Sequence, residues 1–189
     1  MDSFYSEIRN NNKLIRNIDS SKEKEKGNKL LFSTVDKMCH LSRQARSYGL
    51  LALEEEASKL DSFPGGNYLN AMLMLIVDGT NPELVSELCT CKYYAEGLEG
   101  YEALQYIMML DGCLLIQSGE NPIFIEKKLL SMLAEEISSE YYVEKAKTAE
   151  CNDTCSHINK DVCAKSENSG NSDASMLTPE EIAILLSQC

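Results

Sequence analysis

The soft-metal ligands of this chain cluster late. Cys151, Cys155, His157 and Cys163 put three thiols and an imidazole into one short polar stretch, the donor types that a structural zinc ion takes. Their spacing lacks the CxxC knuckle of such sites, so no metal or other cofactor is assigned and metal binding by these four stays open. Cys89-Thr-Cys91 is a weaker pair, because alternate thiols on or near a helix end diverge. His40 stands alone in a helical pattern and reads as structural or exposed. No GxGxxG, GxxxxGKS/T or HExxH occurs, and no nucleophile stands beside a base. An enzyme is not expected. What remains is charge. Arg43 to Leu60, RQARSYGLLALEEEASKL, runs from basic residues through Gly49 to three consecutive glutamates. It offers charge of both signs to a partner from a packed helical frame.

Composition bounds the partners. The net charge is −12, whereas nucleic acid and anionic membrane surfaces demand clustered Lys and Arg. The one lysine-rich run, Lys22-Glu-Lys-Glu-Lys26, alternates in sign and reads as a solvated hinge. No apolar run approaches the roughly 18–20 residues that span a bilayer. MDSFYSEIRNNN shows no basic segment followed by an apolar one, so a cytoplasmic protein is expected. In that compartment eight cysteines do not argue for disulfides, and Cys39 and Cys113, inside apolar helical patterns, read as free buried thiols.

The elements that would carry the charged stretch are all helical. Residues 1–27 read as a polar, weakly helical leader, frayed or loosely docked. From Asn28, Leu31, Val35, Met38, Ser42 and Ala45 follow helical spacing. Gly49 marks a joint, and Leu50, Leu53, Ala57 and Leu60 begin a new stripe, with Glu55 and Lys59 able to pair at i, i+4. Tyr68–Val77 and Tyr101–Gln117 read as buried helices. LIVDGTNP at 75–82 and LIQSGENP at 115–122 share Leu, Ile, Gly, Asn and Pro at an offset of 40. Each places glycine past a helix end, a capping residue, then proline at the first position of the next helix. Ile123 to about Lys147 reads as one long amphipathic helix. Residues 148–175 have linker composition, spanning about 30 Å r.m.s. if flexible. Residues 176–189 begin a short helix with Thr178 as cap and Pro179 first, too short to be stable undocked. The expected fold is all-α: a compact bundle of about five helices at 28–147, a flexible linker and a short C-terminal helix.

Three stretches resemble the cytoplasmic part of the MotA/TolQ/ExbB family of flagellar stator subunits: ARSYGLLALEEEASKL (Ala45–Leu60), LIVDGTNPELVSEL (Leu75–Leu88) and LDGCLLIQSGENPIFIEKKLLSML (Leu110–Leu133). The family's four membrane helices have no counterpart here, so ion conduction and anchoring do not carry over. The resemblance implies a rotor contact. In the family an arginine three residues before the motif glycine and a glutamate five after it engage opposite charges on the switch protein FliG, and those positions are Arg46 and Glu54. Without the resemblance, the two are ordinary solvated charges.

LTPEEIAILL near the C-terminus is similar to the segment of the switch proteins FliM and FliY that binds the response regulator CheY. Leu177, Glu181, Ile182, Leu185 and Leu186 match, while Ala183 and Ile184 depart from the motif's aspartate and alanine. The resemblances together imply a non-enzymatic motor accessory that joins FliG to a CheY-like regulator. The alternative is a self-contained helical scaffold whose tail helix docks on its own bundle or on a homodimer partner.

Overall fold

Ser20 opens the helix on which the molecule is built. Its hydroxyl accepts from the Glu23 amide at 3.4 Å, and α2 then runs unbroken over Ser21–Tyr48. The helix contains Lys22–Lys26, so the expected hinge is its first turns: a sign-alternating run is as compatible with a solvated helix face as with a loop. Gly27 lies inside it because α6 (Gly100–Gln117) passes there. A Cβ at Gly27 would stand 2.4 Å from the Tyr101 ring. Leu31, Val35 and Met38 are fully buried along the expected stripe, with Ser42 at 1% exposure.

The computed structural model describes residues 2–158, which are all-α, with eight helices. Two compact units divide the chain, Met1–Lys145 and Ala146–Cys189. In the first, α2 and α6 form the central pair, running in the same direction. Thr34 meets Gln105, Met38 meets Gly112, and Ser42 reaches Glu120. Around them lie α1 (Asp2–Arg16), α3 (Ala52–Ala57), α4 (Gly66–Val77), α5 (Pro82–Glu96) and α7 (Pro122–Leu130). The last helix, α8, spans Glu135–Ile158. No helix among the described residues is long and apolar enough to cross a membrane.

Three boundaries differ from the sequence expectation. The polar leader is α1, docked by its side chains: Ile15 is 3% exposed and Asn11 2%. Asn11 Oδ1 accepts from the Gly100 amide at 2.8 Å. The helix expected from Ile123 to Lys147 is broken between α7 and α8, and Asn12 of α1 fills the break. Its amide donates to Met132 O at 2.9 Å and accepts from Ala134 N at 3.2 Å, satisfying two backbone groups that a helix end leaves open. Finally, α8 continues through Ile158, so helix occupies the first part of the expected linker. The remainder of that linker, Cys163 and the C-terminal helix with Leu177, Glu181, Ile182, Leu185 and Leu186 lie outside the described residues.

Candidate functional site

The three sequence stretches meet at one end of the bundle. The two buried helices stop there in the same way. Gly79 adopts φ 73° and Gly119 φ 79°, a left-handed turn that costs a side-chain-bearing residue about 1–2 kcal/mol. At each stop two backbone amides reach back into the last turn: Gly79 N to Ile76 O at 3.2 Å and Thr80 N to Leu75 O at 3.0 Å in the first, Gly119 N to Ile116 O and Glu120 N to Leu115 O, both 3.0 Å, in the second. At each restart an asparagine caps the next helix, Asn81 Oδ1 accepting from Glu83 N at 2.8 Å and Asn121 Oδ1 from Ile123 N at 2.9 Å. Gln117 ties the two junctions together by donating to Thr80 O at 2.7 Å.

Arg46 belongs to this end. Its Nη1 donates to Gly119 O at 2.8 Å, a carbonyl that the end of α6 leaves without a helical partner. The side chain of Arg46 therefore has a fold-internal task as well as an exposed surface. Ser42 Oγ donates to Glu120 O at 3.3 Å, one turn earlier on the same helix. Three residues past Arg46 the chain turns at Gly49, with φ 86°, and re-enters helix as α3.

On α3 the three glutamates divide by environment. Glu56 turns inward and is the hub between α2 and α3. Lys59 Nζ lies 3.0 Å from one of its oxygens, and Lys37 Nζ and His40 Nε2 lie 3.5 and 3.2 Å from the other. The Lys59 ammonium foremost, with Lys37 and His40, holds its carboxyl below the usual carboxylate range, against an opposing effect of burial. Glu55 makes the expected pair with Lys59 at 2.8 Å. Glu54 is exposed, and its carboxylate has no partner among the described residues. Flanking the Gly49 turn, Tyr48 and Leu51 are 74% and 73% exposed. The end thus presents a free carboxylate, a guanidinium held in place and two uncovered apolar side chains. Sequence reasoning singled out Arg46 and Glu54 and did not anticipate the exposure of Tyr48 and Leu51. Leu51 lies off the stripe of Leu50, Leu53 and Ala57, and that offset is the signal that was legible.

The three buried thiols are unsuited to nucleophilic chemistry at neutral pH. Cys39, Cys89 and Cys113 are free and buried; burial pushes the Cys39 thiol up to about 11 and raises the other two, whereas a reactive cysteine needs a lowered pKa. Cys91 is exposed while Cys89 is buried, so their side chains diverge on α5. Cys151, Cys155 and His157 fall within α8; their side chains, like Cys163, lie outside what is described. Elsewhere, Asp111 on α6 has a buried Oδ2 with no hydrogen-bond partner, and burial raises its pKa, opposed by Lys128.

Protein-family models and curated proteins give no match to this chain.

Proposed function

We propose that the chain is a non-enzymatic, cytoplasmic accessory of the bacterial flagellar motor. Its Arg46–Glu54 corner docks on the rotor switch protein FliG, and its tail, through Leu177, Glu181, Ile182, Leu185 and Leu186, takes up a CheY-like response regulator. One observation supports the rotor half most. Ala45–Leu60, Leu75–Leu88 and Leu110–Leu133, the stretches carrying the stator resemblance, converge on one end of the bundle through Arg46–Gly119 and Gln117–Thr80. At that end Glu54 stands free beside exposed Tyr48 and Leu51. A tyrosine and an arginine near the centre of a contact are residue types that concentrate binding energy. Exposed ion pairs contribute only about 0–1 kcal/mol each, so the charges set orientation and on-rate and the apolar pair adds burial.

Titration calorimetry of the purified chain with FliG tests the rotor half. Weak, salt-sensitive binding is expected, and Arg46→Glu is expected to disturb motility. No heat of binding together with unchanged motility removes this half. For the tail, isotope-labelled protein is mixed with activated CheY: shifts confined to residues 176–189 support recruitment, and unmoved signals there remove it. Helix-in-groove recognition uses apolar anchors at i, i+3 and i+4, which Ile182, Leu185 and Leu186 supply.

A further inference from the structure

Helix α5 is apolar on two sides, and the fold covers only one of them. Val85, Cys89 and Tyr93 face the core and are buried. On the solvent side stand Leu84 and Leu88, 53% and 55% exposed, followed by exposed Cys91 and Ala95. The steps between these four, from 84 to 88 to 91 to 95, are those of a coiled-coil seam. A helix with apolar residues on opposite sides suits burial between two bodies, not a water-facing position. Beside the seam lies a groove of about 370 Å³ shared with α4. Tyr68, Ala71 and Leu75 line it from α4, and Leu88 and Lys92 from α5, so apolar surface continues past the helix itself.

We infer that this face of α5 is the contact for a second copy of the chain, the two α5 helices lying parallel about a two-fold axis. Charge selects that occupant. Glu87 and Lys92 flank the seam on opposite sides, and both are exposed. In heptad terms they are a g position and the e position of the next repeat, which a parallel pair sets against each other across the seam. Glu87 of each copy thus faces Lys92 of the other, and one helix supplies both signs. The Glu87 carboxylate has no partner among the described residues. Lys92 pairs with Glu96 in its own helix, and an ammonium has three donors, enough for both carboxylates. An antiparallel pair would set each flank against its own kind. The inference uses no residue of the Arg46–Glu54 corner and does not rest on the rotor reading.

Sedimentation equilibrium of the full chain in reducing buffer tests it. The salt is set near physiological strength, where repulsion between copies of charge −12 is screened beyond about 8 Å. Two heptads make a short seam, so a dimer with a micromolar dissociation constant is expected. Leu88→Glu should weaken it by at least about tenfold while keeping the helical circular dichroism, and Leu84→Glu serves as a second variant. Glu87→Lys and Lys92→Glu should each weaken it by about three- to fivefold, and the two together should restore it. A parent that stays monomeric up to about 0.5 mM overturns the inference and leaves the face to a different protein. A dimer that both leucine variants leave intact also overturns it, because the copies then meet elsewhere. A double charge variant as weak as the single ones overturns the parallel pairing.

Discussion

At residues 75–82 and again at 115–122 a buried helix stops on a left-handed glycine and an asparagine-capped helix begins, yet α2 grips only the second of these junctions. The likeness extends into the helices that follow. Val85 and Ile125, which the offset of 40 pairs, are both 0% exposed; Leu84 and Phe124, its next pair, are 53% and 49% exposed. The difference lies in what reaches the backbone. The second junction takes Arg46 on Gly119 O, Ser42 on Glu120 O and Cys39 on Pro122 O. The first takes Gln117 on Thr80 O. One repeat is thus fastened to the central helix and the other hangs from the first, so Arg46 holds the fold at the same place where it faces solvent.

The comparison can be tested in order of effect. Ile125→Ala should lower stability by about 2–5 kcal/mol, as buried isoleucine truncations do, and Val85→Ala by less, since it removes fewer methylenes at about 0.8 kcal/mol each. Urea unfolding midpoints measure both; a larger loss at Val85 would mean that the first repeat carries more of the fold than its fewer backbone ties suggest. Next come Gly79→Ala and Gly119→Ala. Neither position has an atom within 4 Å of an added Cβ, so each should cost only the left-handed penalty of about 1–2 kcal/mol. Equal losses sustain the view that the two turns are built alike. A clearly greater loss at Gly119 would show that its backbone shift also breaks the Arg46 bond. The smallest effect is Arg46→Ala, about 0.5–1.5 kcal/mol for one hydrogen bond. Amide exchange should quicken at Gly119 and Glu120 and stay unchanged at Gly79 and Thr80. Uniform change at both junctions would contradict the one-sided grip.

Most of this end was legible because its signals are local. Glycine, asparagine and proline in fixed order dictate the stop, the cap and the restart, and Leu53, Ala57 and Leu60 follow their stripe into burial at 0%, 2% and 1%. What escaped depends on residues far apart in sequence. Asn12 fills the α7–α8 break across a separation of 120 residues, and nothing in the sequence near Ser131–Ala134 announces it. Gly27, where the expected leader ended, lies inside α2, and the Tyr101 ring that requires a glycine there belongs to another helix. The division among the glutamates was half legible. The i, i+4 spacing predicts the Glu55–Lys59 pair, but only Lys37 and His40, supplied by α2, decide that Glu56 turns inward.

Because Arg46 serves the fold, its removal mixes stability with binding, and Glu54 is the cleaner probe. Its carboxylate has no hydrogen-bond or ion-pair partner among the described residues, so Glu54→Lys should change the unfolding free energy by no more than about 0.5 kcal/mol. The direct measurement is calorimetric affinity for FliG, parent against Glu54→Lys, at low and moderate salt. The account predicts binding by the parent, at least about fivefold weaker binding by Glu54→Lys at low salt, and a smaller gap as salt rises. Parent binding that Glu54→Lys leaves unchanged at both salt concentrations would contradict a rotor contact at this corner.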